Sequence, residues 1–255
     1  MTKTGEYVRA AEGIATSVRR ARRILGTALV ALGIAAIAWA LVVWRWQDPF
    51  TALYTKFEQR RLSHAYDHFV AGYHPPQLQR ASLAAVQRAI AQEARQYRLA
   101  TRRGEAIGRI VVPRLGLNMV FVDGTDEDSL RKGPGRDLRS FMPGEGRLVY
   151  IAGHRTTFLA PFSHIERLKK GDSVRLEMPY ATFVYRVNGH RIVRADDLSV
   201  LRSPRHELLE LQACHPRFFA SHRYIAYALP VRVLPREGRA YAVGVAERSY
   251  TQSGA

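Results

Sequence analysis

Residues 106–123 read AIGRIVVPRLGLNMVFVD: two short apolar runs, Ile107–Val112 and Leu117–Val122, parted by Pro113 and Gly116. Apolar runs of this length bounded by turn residues read as β-strands. The texture continues outward. Leu148–Ala152, Ser173–Met178, Thr182–Val187, Leu208–Ala213 and Tyr224–Leu229 are further strand candidates. Between them fall Asp123-Gly124, Gly133-Pro134-Gly135, Pro143-Gly144, Gly171-Asp172, Pro179 and Asn188-Gly189, each a turn signal. Thr156–Leu168 and Asp126–Leu130 are the helical candidates of this part. Seven or eight strands with little helix predict an all-β closed barrel or sandwich over residues 105–235.

The chain before residue 105 has another texture. Ile24–Trp44 is 21 residues without a formal charge, and a helix of that length spans roughly 31 Å, a bilayer's hydrocarbon thickness. Trp39, Trp44 and Trp46 stand at its end, where indole rings favour the interface. Arg9, Arg19, Arg20, Arg22 and Arg23 precede it, against Arg45 and Lys56 after it. That asymmetry predicts a cytoplasmic N-terminus and an extracellular remainder on a single-pass plasma-membrane anchor. A cleaved secretory signal would have a shorter apolar core and a small-residue cleavage site, and neither is present after Trp44. Ala52–Val70 and Gln77–Arg103, broken by Gly72, Pro75 and Pro76, predict two exposed helices. The expected division is therefore a basic tail at 1–23, a transmembrane helix at 24–44, a helical stalk at 45–104, the β-domain at 105–235 and a tail at 236–255.

The 255 residues carry a formal charge of +17, with 34 arginines among 39 basic residues. Residues 1–104 hold +10 of it. This placement suits an anionic membrane surface or wall polymer. It argues against nucleic acid, as does the lack of aromatic–basic interleaving.

Cys214 is the sole cysteine, so no internal disulfide or cysteine-rich zinc site is possible. It ends a predicted strand and opens the polar segment Cys214-His215-Pro216-Arg217. The competing reading is a small buried hydrophobe. A thiol has a pKa near 8.5 and needs a base or a nearby cation to act as a nucleophile. His154 is the candidate base, just past the apolar run Leu148–Ala152 on Gly153. Arg223 is the candidate cation, facing Cys214 if Leu208–Ala213 and Tyr224–Leu229 are antiparallel neighbours. His215 is expected on the opposite face from Cys214, because adjacent residues of an extended chain point apart. The histidines of the stalk read as solvated. Asp123 and Asp126–Asp128 form an acidic turn, a calcium candidate against the simpler reading of a solvated turn.

Several motifs together resemble one family. Ala152-Gly153-His154-Arg155-Thr156-Thr157, then Ala160-Pro161-Phe162, Leu168 and Gly171-Asp172, are similar to the sortases of the class E type found in actinobacteria. So are Cys214-His215-Pro216-Arg217 with Arg223, Gly124-Thr125 leading to Leu130-Arg131-Lys132-Gly133-Pro134-Gly135, and Pro113-Arg114-Leu115-Gly116. The resemblance covers roughly residues 106–232 and implies an eight-stranded sortase-like β-barrel. It also implies a cysteine transpeptidase that needs no metal or cofactor. Cys214 would cleave an LPxTG- or LAxTG-like sorting signal between Thr and Gly through a thioester. His154 would serve the leaving and incoming amines, and Arg223 the oxyanion. Its partners would be surface proteins bearing the signal, with a cell-wall precursor or pilin amine as acceptor. Two places depart from the pattern. Glu210-Leu211-Gln212-Ala213 stands where the family has Thr-Leu-x-Thr, and Arg136-Asp137-Leu138 follows Gly135 where relatives have His-Tyr-Pro. The rival readings are an L,D-transpeptidase-like wall enzyme, whose Ser-x-Gly-Cys context is absent, and a membrane-tethered adaptor with a non-catalytic barrel.

Overall fold

The computed structural model describes residues 4–45 and 49–244. Trp46 and the end of the expected C-terminal tail, residues 245–255, lie outside the described residues. The chain forms two compact units, Met1–Gln47 and Asp48–Ala255. In the first, α1 runs from Thr4 to Arg45. Its stretch Arg22–Val42 is long and apolar enough to cross a membrane, and none of it is buried within the protein.

The second unit is a barrel. Its strands are β1 (Ala106–Val112), β2 (Leu117–Asp123), β3 (Gly135–Arg136), β4 (Leu148–Ala152), β5 (Ser173–Glu177), β6 (Ala181–Arg194), β7 (Leu208–His215) and β8 (His222–Pro235). Neighbours run β6-β5-β1-β2-β3-β4-β7-β8, and β6 pairs with β8 to close the ring of eight. A short β9 (Tyr241–Ala242) adds to β8 outside that ring. Closure removes the exposed edges an open sheet would carry. The closing pair is antiparallel from Ala181↔Pro235 to Arg194↔His222. It passes through Asn188-Gly189, which is not a turn: the register shifts between Val187 and Gly189, so the extra residue is taken up as a bulge. The Tyr227 ring lies over Gly189, where a Cβ would sit 2.5 Å from its hydroxyl and would push it aside.

Side chains alternate across the barrel wall. Val149, Ile151, Leu209, Leu211, Ala213, Tyr224, Ala226 and Ala228 belong to the main core. Their neighbours Leu148, Tyr150, Ala152, Leu208 and Ile225 form a second apolar cluster on the other face, joined by Val200.

Two helices precede the barrel, α2 (Pro49–Ala71) and α3 (Leu83–Ala100). They pack on it and do not stand free as the exposed helices expected of a stalk. Ser82 caps α3 by accepting from the Ala85 N–H. Val86, Ile90, Ala94 and Tyr97 fall on one face at helical spacing and enter the barrel's own core. The arginines and glutamines that suggested exposure occupy the other face. From α2, Gln59 donates through Nε2 to the Val120 carbonyl at 2.8 Å and accepts from the Val120 N–H at 2.9 Å. Its side-chain amide thus imitates a paired strand along β2, which β3 covers only at Val122 and Asp123.

Thr156–Leu168 is not a helix. It holds turns and one 3-10 turn at Ile165–Arg167, and Phe158, Leu159 and Ala160 have φ of 52°, 59° and 38°. Three consecutive left-handed residues cannot propagate a right-handed helix. The other helical candidate forms, as α4 (Glu127–Lys132) capped by Asp126.

Candidate active site

The ends of β4 and β7 and the start of β8 meet on one rim. β4 and β7 run parallel from Leu148↔Leu208 to Ala152↔Gln212, and the Gly153 N–H donates to the Gln212 carbonyl at 3.0 Å. β7 and β8 are antiparallel, with Cys214 opposite Arg223 and His215 opposite His222. Alternation puts Glu210, Gln212 and Cys214 on the face of the second apolar cluster, and His215 on the other. Cys214 is a free thiol of intermediate exposure.

His154 follows Gly153 at the end of β4, one strand from Cys214. Gly153 must lack a side chain, since a Cβ would come within 2.7 Å of the Phe162 ring. The His154 ring lies 5.0 Å from that of Phe158. Burial lowers its pKa below the ordinary histidine value; Glu127 opposes this and Arg131 adds to it. The imidazole is therefore neutral at neutral pH. Its Nε2 is buried without a hydrogen-bond partner among the described residues. An imidazole nitrogen so held is able to give or take a proton.

Arg223 donates through Nη1 to the carbonyls of Ala220 (2.7 Å) and His222 (3.0 Å), which braces the loop between β7 and β8. Phe218 and Phe219 on that loop are 56% and 81% exposed, an apolar surface on the segment that follows β7.

Sequence reading passed over two residues here. Arg155 was visible only as part of a motif, yet it is buried and donates to the Cys214 carbonyl at 3.0 Å. Glu210 was noted only as a departure from a pattern. It is buried on the Cys214 face, bonded to Arg191 at 3.2 Å through Oε1, while Oε2 has no partner among the described residues. Burial pushes its carboxyl from 4.5 up to about 7, with Arg191 opposing. Between those values the folded protein keeps a proton that the unfolded chain has released. Stability from this group is thus full below about pH 4.5 and is lost as pH rises through 7. The loss is on the order of 3 kcal/mol. Glu210→Gln, neutral throughout, should gain on the wild type between pH 5 and pH 8 in urea midpoints. Parallel pH dependence of the two proteins would refute this.

Other expected features are placed as follows. Arg136, which follows Gly135 where relatives have histidine, is 1% exposed and pairs with Asp123, itself 2% exposed. Asp126 is committed to capping α4 through the Ser129 N–H. No group of three or more metal-ligating side chains occurs among the described residues.

The closed eight-stranded barrel has counterparts among known proteins. Residues 110–231 match the Sortase domain family model. The chain is 36% identical over 129 residues to Sortase D of Bacillus subtilis. The match covers 49% of this chain and 63% of that protein's length. The Clostridium perfringens Sortase D5 transpeptidase structure shares the fold, with a TM-score of 0.55 at 21% identity over 68% of this chain and 98% of that one. Streptococcus pneumoniae Sortase C does so with a TM-score of 0.53 at 20% identity, over 71% and 98%. Residues 110–231 are thus similar to the sortase domain. The class E refinement is not supported in the same way, because the curated relative is a class D protein.

Proposed function

We propose that the protein is a membrane-anchored cysteine transpeptidase that cleaves a Leu-x-x-Thr-Gly-like signal and passes the acyl group to an amine. The observation that carries this reading is the pairing of Cys214 with Arg223 across β7 and β8, with His154 at the adjoining end of β4. Cys214 Sγ attacks the threonine carbonyl, and its proton passes to His154. Arg223 leaves its loop carbonyls to donate to the oxyanion. The C–N bond to glycine breaks as His154 protonates the leaving amine, and a thioester remains. A second amine then gives its proton to His154, attacks the thioester and restores the thiol. Removing one oxyanion donor typically costs roughly 10²–10³ in kcat, which is the scale expected of Arg223. The acceptor would be a cell-wall precursor or pilin amine, and the substrates surface proteins that carry the signal.

The full chain in detergent micelles is expected to cleave a fluorogenic Leu-x-x-Thr-Gly peptide, and a library with Pro or Ala at the second position will rank the two. No turnover of any such peptide, with or without an added amine, would defeat the reading. The arginines before Arg22–Val42 support a cytoplasmic N-terminus and an extracellular barrel. Protease added to intact protoplasts should then remove the barrel, whereas complete protection would reverse the orientation.

A further inference from the structure

Beyond Ala152 the parallel ladder between β4 and β7 makes one more backbone rung, from the Gly153 N–H to the Gln212 carbonyl. Such rungs recur every second residue along a strand. The next would run from the Arg155 N–H to the Cys214 carbonyl. The chain turns away instead, through bends into the left-handed run Phe158–Ala160. That leaves the carbonyl of Cys214 without its strand partner, and the Arg155 side chain replaces the missing N–H. Nη1 donates to the Cys214 carbonyl at 3.0 Å and meets His215 Nδ1 at 2.9 Å. Nη2 donates to Glu166 Oε2 at 2.8 Å, and the Arg155 side chain is only 6% exposed.

We propose that Arg155 is a positioning residue: its guanidinium fixes the backbone of Cys214 at the end of β7, level with His154, and neutral His215 completes the hold. A guanidinium accepts no hydrogen bond, so Nδ1 of His215 must be the acceptor and its ring proton must sit on Nε2. Protonation would turn that acceptor into a donor and set a second cation against Arg155. The groups facing His215 are Arg155, Glu166 behind it, His222 opposite in register, and the Tyr224 ring at 6.3 Å. His164 Nδ1 lies 3.5 Å from Glu166 and belongs to the same set. Burial, then Arg155 and His222, lower the His215 pKa, with Glu166 opposing. The hold is therefore intact at neutral pH and loosens on the acid side. Because Arg155 follows His154 directly, one short segment carries the base and sets where the nucleophile stands.

The kinetic half of the test rests on the transpeptidase reading and the exchange half does not. In the full chain in detergent micelles, Arg155→Gln should speed amide exchange at residues 213–217 by about tenfold, with the rest of β7 and β8 unchanged. It should lower kcat by roughly 10- to 100-fold and leave KM within about twofold, as expected when geometry and not binding is lost. Arg155→Lys, which cannot fork to three acceptors, should recover little. His215→Gln keeps an acceptor but cannot titrate, so the acid-side rise in exchange at 213–217 should disappear. Unchanged exchange in Arg155→Gln, or a loss confined to KM, would overturn the proposal. Should Arg155→Gln fail to fold, Glu166→Gln removes only the half-exposed anchor and should show the same pattern at smaller size; its absence there overturns the proposal equally. If the wild type cleaves no signal peptide while the exchange pattern holds, the transpeptidase reading fails and the positioning role stands.

Discussion

Cys214→Ala is expected to reduce signal-peptide cleavage by at least roughly 10³-fold and to eliminate the thioester adduct seen by mass spectrometry, while the unfolding midpoint stays close to that of the wild type. The size follows from removing the atom that forms the covalent bond, since loss of a nucleophile leaves only binding and oxyanion contributions. The preserved stability follows from position. Cys214 is at the end of β7, of intermediate exposure, and its carbonyl keeps the Arg155 bond whatever the side chain. This separates the enzyme from an adaptor with a barrel scaffold, in which alanine would change neither quantity. Labelling of the thiol by iodoacetamide should likewise be slowed by a bound signal peptide. Full residual cleavage in Cys214→Ala would end the mechanism.

The second large effect is on stability. Asp123→Ala is expected to cost about 3–5 kcal/mol, because it strands a buried guanidinium. Arg136 and Asp123 side chains are each 2% exposed. The arginine also donates to the Ser140 carbonyl, and the carboxylate accepts from Thr101 at 3.0 Å. The pair thus ties β2, β3 and the end of α3 together. Burial raises the Asp123 carboxyl and lowers the Arg136 guanidinium, each opposed by the partner's charge. Asp123→Leu combined with Arg136→Met should cost clearly less than Asp123→Ala alone. Urea denaturation of the three variants measures this directly, and equal costs for single and double changes would show that the ion pair is not what matters.

Much of this arrangement was legible from residue pattern. Leu148–Ala152 is an unbroken apolar run, because both faces of that strand are covered. The placement of Arg223 opposite Cys214 needed only antiparallel neighbours and a connecting loop. What was hidden is instructive. β3 is two residues long, and its pairing depends on partners that are distant in sequence. Asn188-Gly189 is turn chemistry locally, and only the long β8 opposite makes it a bulge. The segment after His154 has helical composition but is held in turns by its left-handed residues. α3 shows one apolar stripe among arginines and glutamines, which describes a helix without saying what covers it. Arg155 gave no signal of its own, since its role exists only once two strands end side by side. Motif order points to the sortases, to which residues 110–231 are similar, but the class E detail rests on features that the curated relative does not support.

The contact between Gln59 and Val120 bears on what counts as the folding unit. A barrel cut free at residue 105 would bare the N–H and C=O of Val120 on a strand only partly covered by β3, and would uncover the core that Ile90 and Tyr97 close. Such a bared strand is a template for edge-to-edge association between molecules. The segment between α1 and the barrel therefore works as an internal chaperone of the sheet. Solubility is what its sequence has to preserve.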